Sequence, residues 1–221
     1  MNIQNVLYSL PGILIGLTVH EYCHALAAHK LGDNTARDQG RITFNPIKHI
    51  DPIGFLFIIF AGFGWAKPVQ FNPENLRNLR RDKAIIAVAG PLSNLALALV
   101  FIGIIRLWMF LLGTAPAAES GLAELLHSPN FIVFINVILR AAVINIGLFV
   151  FNLLPIPPLD GSHIAFSGLN LPMETQYRIM KIGMPLLFGI IIIQNFANIT
   201  ILPIRPLVTA ILHFFLPQLA G

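Results

Sequence analysis

The chain has 221 residues, of which 56% are hydrophobic and 11% charged, and a formal net charge of +4. So few charges cannot cover the surface of a soluble domain of that length, and the composition reads as an integral membrane protein. The basic residues fall in loops between apolar runs, where membrane topology puts them, which argues against nucleic-acid binding.

The first apolar run, residues 6–28, is long enough to cross a bilayer. No basic segment precedes it and its interior carries ionisable groups, so it reads as a retained span and not as a cleaved signal peptide. Its later half holds His20-Glu21-Tyr22-Cys23-His24, an H-E-x-x-H pattern. On a helix His20 and His24 stand one turn apart on one face, so both imidazoles can meet one zinc ion. Glu21 then lies beside the metal, where its carboxylate could take a proton from a zinc-bound water. The plainer alternative is a helix end whose histidines sit near lipid headgroups. Three ionisable groups in five positions of a span nonetheless need a compensating partner, and a divalent cation is the obvious one. Cys23 is the only cysteine, which excludes an intramolecular disulfide.

From residue 32 to 72 the chain turns rich in Gly, Pro, Asn and β-branched residues, with short segments at 41–44 and 68–71 that suit strands. Between them the apolar run 53–65 is too short for a crossing and reads as a re-entrant segment or buried hairpin packed against the site. The second span covers residues 83–113. Its small residues Ala87, Gly90 and Ser93 would let another helix approach closely, and Asn94 suits an interhelical hydrogen bond. The segment 114–130 carries Glu119 and Glu124 but no Lys or Arg, whereas Lys30, Arg37, Arg41, Lys48, Lys67, Arg77, Arg80, Arg81 and Lys83 flank the re-entrant run. The basic side is therefore expected to be cytoplasmic.

With that orientation the third span, 131–154, returns to the cytoplasm and delivers Asp160 at the same depth as His24. A zinc held by two histidines needs a third protein ligand and an open position for water, and Asp160 is placed to be that ligand. Asp-Gly is also a common turn pair, Asp51 is the nearest competing carboxylate, and His163 is another candidate ligand, better suited to a neutral supporting role. Pro155, Pro157 and Pro158 leave backbone that could pair with an unfolded substrate, or merely end the helix. Asn152 could offer its amide to an oxyanion or a substrate carbonyl. Arg106 and Arg140 would snorkel toward the opposite side. After residue 171 a further crossing begins near 182–193, followed by a second crossing or an interfacial tail interrupted by Asn195, Asn198, Pro203, Arg205 and Pro206.

Together, H-E-x-x-H at 20–24, G-P-x-x-N at 90–94 and N-x-x-P-x-x-x-L-D-G at 152–161 resemble the site-2 protease family of intramembrane zinc metalloproteases, and the segment 64–69 is similar to one in its compact bacterial members. The resemblance implies a mainly α-helical polytopic bundle with a three-helix catalytic core, a small membrane-embedded β-sheet or re-entrant hairpin, and one or two extra C-terminal helices. The whole chain is then one peptidase domain, with its core at about 6–165 and its C-terminal helices at about 175–216. It implies one zinc held by His20, His24 and Asp160, Glu21 as general base, and Asn152 as a substrate or oxyanion contact. The substrate would be a transmembrane segment of another membrane protein, reached within the lipid of a bacterial inner membrane from the cytoplasmic side. The sequence shows no PDZ-like insertion and no nucleotide-sensing domain after its last span, so the regulatory or length-sensing roles of larger relatives are not expected to carry over, and nothing in it sets an oligomeric state. The rival readings are a transporter whose buried His and Asp line an ion path, and a scaffold with a structural zinc. The transporter would not need Glu21 beside His20, and the structural site would call for a fourth protein ligand.

Overall fold

The computed structural model describes residues 3–61, 64–114, 121–197 and 200–217, and they are mainly helical. In chain order the helices are α1 (Ile3–Lys30), α2 (Thr35–Asp38), α3 (Pro52–Ala61), α4 (Leu79–Thr114), α5 (Gly121–His127), α6 (Pro129–Asn152), α7 (Asp160–Leu169), α8 (Met173–Ala197) and α9 (Ile204–Phe215). Four stretches are long and apolar enough to cross a membrane: Gln4–Lys30, Leu79–Gly113, Pro129–Asn152 and Met173–Gln194. After them α9 is a 12-residue amphipathic helix, so the C-terminal region consists of one crossing-length helix and one short one. Glu119 of the acidic loop and Asn198 lie outside the described residues.

α1, α4 and α6 pack on one another, α7 lies against α4, and α9 against α6. The shared core of α4, α6 and the end of α9 is Ala98, Phe101, Ile102, Ile105, Ala141, Ala142, Ile146, Val150 and Leu216. α1 meets α6 so closely at Gly12 that a methyl group there would lie 2.6 Å from the Ala141 Cα. Such approach by small residues is how helices associate where lipid removes the usual hydrophobic drive. The outer faces remain apolar, with Val100, Phe110 and Phe134 exposed, as a lipid-facing surface requires.

Local chemistry sets the helix ends. α6 begins where the Ser128 hydroxyl accepts the Phe131 N–H at 3.3 Å and Pro129 occupies the first helical position. α7 ends at Asn170, whose φ of 54° is the left-handed conformation that closes a helix. Arg80 of α4 also donates to the carbonyls of Ser167 and Gly168, tying the end of α7 to α4.

Among the described residues no strand forms at 41–44 or 68–71. The pairing is one antiparallel bridge between Ile50 and Ala66, with Lys67 N–H donating to His49 O at 2.8 Å. Pro46, Pro52, Pro68 and Pro73 lack the N–H a ladder needs, which accounts for its stopping there. The apolar run 53–65 contributes the short helix α3, and Asp51 accepts the Gly54 N–H at 2.8 Å at its start, so its carboxylate serves that turn. The connection is braced by Asp33, which accepts from Asn75 Nδ2 at 2.7 Å, Thr35 Oγ1 at 2.7 Å and Asn72 N at 2.9 Å. Burial would raise the Asp33 pKa, but those hydrogen bonds outweigh it and hold it below the ordinary value.

Candidate metal centre

The site forms where α1, α4 and the start of α7 meet. His20 and His24 face the same way because they are four residues apart on α1, and their Nε2 atoms are 3.0 Å from each other. The Asp160 Oδ2 lies 3.1 Å from His20 Nε2 and 3.3 Å from His24 Nε2. Asp160 is the first residue of α7, so the Asp-Gly pair starts a helix instead of making a turn.

The outward ring nitrogens are fixed from α4. His20 Nδ1 donates to Asn94 Oδ1 at 2.7 Å, and His24 Nδ1 donates to the Ile86 carbonyl at 2.7 Å. With Nδ1 protonated in both rings, both Nε2 lone pairs point at the shared space, which is how metal-binding histidines are held. Asn94 is itself locked, its Nδ2 donating to Gly16 O at 3.1 Å and Asn145 Oδ1 at 3.0 Å. Gly90 makes room: a methyl there would come within 2.7 Å of His20 Cε1 and nearer still to His24 Nε2.

Donor spacing tests whether a metal fits. Ligand atoms about 2.05 Å from a tetrahedral zinc stand roughly 3.3 Å apart. The three spacings here are 3.0, 3.1 and 3.3 Å. Asp160 Oδ2 is buried and, the two imidazoles apart, has no hydrogen-bond partner in the protein, a desolvated carboxylate oxygen of the kind a cation would satisfy. Two imidazoles and one carboxylate, with no fourth protein donor among the described residues, are the donor set of an open zinc site.

A cavity of about 310 Å³ opens beside these three residues, and Glu21, Asn152, His163 and Lys83 also line it. The Glu21 Oε2 accepts the Val69 N–H at 3.0 Å and lies 3.7 Å from Arg41 Nη2. Its other oxygen makes no hydrogen bond among the described residues. Arg41 is buried and also donates to Lys67 O, so it joins the 40–50 loop to the segment beside Glu21. Burial lowers the Arg41 pKa, with Glu21 opposing that shift, and burial together with Arg41 lowers that of nearby His49. The His163 pKa falls to about 4, chiefly through burial and then through the charge of Lys83, so this ring is neutral at pH 7. Asn152 donates its Nδ2 to Leu148 O of its own helix at 3.0 Å.

The structure thus brings His20, His24 and Asp160 together, puts Glu21 and Asn152 on the same cavity, and leaves Asp51 and His163 outside the donor set. The roles of Asn94 toward His20 and of Arg41 and Val69 toward Glu21 were not foreseen from the sequence. The G-P-x-x-N motif could have pointed to the first. Nothing local marks the other two, because their partners are 20 and 48 residues away.

A multi-helix membrane protein with an open His-His-Asp site and an adjacent glutamate has the make-up of a metallohydrolase. The chain matches the model for peptidase family M50 over residues 8–191, and it belongs to that family, which is the site-2 protease family. It is 39% identical over 158 residues to the Bacillus subtilis (strain 168) protein named "Putative zinc metalloprotease YwhC", covering 71% of this chain and 67% of that one. It is 30% identical over 172 residues to "Putative zinc metalloprotease Rip2" of Mycolicibacterium smegmatis, covering 76% of this chain but 58% of that relative's length. No solved structure matches.

Proposed function

We propose that this protein is an intramembrane zinc metalloprotease that hydrolyses peptide bonds within or next to transmembrane segments of other membrane proteins. The observation that carries this reading is the convergence of His20 Nε2, His24 Nε2 and Asp160 Oδ2 on one cavity that Glu21 also lines, among helices able to cross a membrane. His20, His24 and Asp160 hold the metal. When bound, zinc supplies a Lewis acid and a water of greatly lowered pKa.

Glu21 is the general base. Val69 and Arg41 anchor its Oε2, the other oxygen takes the proton, and the carboxyl group then returns it to the leaving amine. Asn152 keeps one amide hydrogen on Leu148 O and uses the other for the substrate carbonyl or the oxyanion. Ala66, Pro68, Val69 and Phe71 on one side and Pro158, at the end of the Pro155 to Pro158 link, on another line the cavity. Their non-helical backbone pairs with substrate that has unwound, since a helical peptide bond is shielded by its own hydrogen bonds. Substrates with Gly, Pro or Asn near the cleavage point unwind most cheaply. The membrane is a bacterial inner membrane and the site opens to its cytoplasmic side, a reading supported by the basic residues at the cavity ends of α1 and α4.

The test uses purified protein and a panel of single-span membrane peptides, with and without a zinc chelator. Cleavage that stops with chelator, returns with zinc and is absent in a zinc-retaining Glu21→Gln variant is expected. Turnover by that variant, or cleavage indifferent to chelator, would refute the assignment.

A further inference from the structure

The face of α4 that meets α1 carries Asn94, Gly90, Ala87 and Lys83, spaced by four, three and four residues and therefore on one stripe. Asn94 sets His20, Gly90 gives both rings space, and the Ile86 carbonyl next to Ala87 sets His24. Lys83 continues the stripe one turn further, and it too lines the cavity. Its position in the sequence marks it only as one of the basic residues that orient the chain.

Its ammonium donates to Gln176 Oε1 on α8 at 3.0 Å, a neutral acceptor. Arg41, Arg81 and Arg178 each face a carboxylate, at Glu21, Asp82 and Glu174. Lys83 has none within ion-pair distance among the described residues. A lysine head group carries three donors and a full charge, so a tie to one glutamine uses little of it. A half-buried cation with no anion, on the wall of the cavity that holds Glu21 and Asp160, is completed by an anion that enters the cavity.

We propose that Lys83 is a specificity-determining residue that receives a carboxylate side chain of the substrate. The inference rests on the metalloprotease reading of the cavity. From Gly90 to Lys83 is seven residues of helix, about 10 Å at 1.5 Å each, and an extended peptide advances about 3.3 Å per residue. The carboxylate therefore belongs two or three residues from the scissile bond. Lys83 lines the cavity and is tied to α8 by Gln176, which favours an anion that arrives with the substrate over one from the surrounding lipid.

The test is a scan of single-span peptides in zwitterionic vesicles. Glu is placed at each position around the cleavage point, with a matched Gln series. The wild-type protein is expected to favour Glu about tenfold in kcat/KM, mainly through KM, with a maximum two or three residues from the cut. Lys83→Gln should bring the ratio to about one, and Lys83→Glu should make a Lys-bearing peptide the better substrate, with zinc content reporting that both variants are folded. A flat wild-type scan overturns the inference whether or not the variants fold, as does selectivity that survives Lys83→Gln. Selectivity lost when anionic lipid replaces zwitterionic lipid assigns the ammonium to a headgroup and also overturns it. Cleavage of no peptide at all defeats the protease reading itself, and this inference with it.

Discussion

The orientation of the His20 ring depends on Asn94, which accepts its Nδ1 proton while donating to α1 and α6. Replacing Asn94 by Leu removes the acceptor and leaves the ring free to turn its lone pair away. Zinc affinity should then fall about 10–100-fold, the usual effect of losing such a partner. Competition with a chromogenic chelator measures it, and an unchanged affinity would contradict the role. Gly90→Ala is a harsher test, since the added methyl must occupy space the two imidazoles fill. The variant should keep its helical circular dichroism and bind no zinc at equimolar metal. The pair His20 and His24 was legible in the sequence because the helix period alone puts them on one face. Asn94 was legible as the source of an interhelical hydrogen bond but not as the partner of His20, because that target lies 74 residues away and helix period says nothing about which neighbour a polar face will meet.

α7 and the loop between α2 and α4 show where element-level reading works and where it stops. The first three spans were readable because length and apolarity suffice for them, and their observed ends lie within a few residues of those expected. The fourth begins at Met173, nine residues before the apolar run at 182–193 that marked it, because its first turns carry Glu174, Arg178 and Lys181. The strands at 41–44 and 68–71 were expected from β-branched residues, but prolines spaced through the region and side-chain ties such as Arg41 to Lys67 take over the backbone groups that a ladder would have used. His49 makes this loop sensitive to pH. It is buried with its Nδ1 unpartnered, and its pKa is lowered from 6.5 by burial and by Arg41. The unfolded chain then takes up the proton more readily than the folded one, so the stability His49 contributes is present above pH 6.5 and is lost as pH falls below it. Thermal unfolding between pH 8 and 5 should show a falling midpoint for the wild type and a flatter profile for His49→Gln. Parallel profiles would rule the residue out as the source. The Asp33 brace has the same sign at lower pH, its stability being lost as pH falls through the carboxylate range.

Across the whole molecule, the alternation of basic and acidic loops and the ligand requirement of zinc both place Asp160 at the level of His24, and the two lie 3.3 Å apart. A metal that ties α1 to α7 binds only the folded chain, so it should stabilise the bundle by about 2.7 kcal/mol at a free concentration one hundred times its Kd. Chelation should lower the unfolding temperature and zinc restore it; a chelator-insensitive midpoint would mean that the metal does not bridge these helices. The most direct test of the account is zinc K-edge absorption on purified protein, with metal content measured alongside. One zinc per chain is expected, bound by two imidazole nitrogens and oxygen at about 2.0–2.2 Å, with no sulfur, and it should be lost in His20→Ala, His24→Ala and Asp160→Ala. A sulfur neighbour from Cys23, or full zinc occupancy without Asp160, would contradict it.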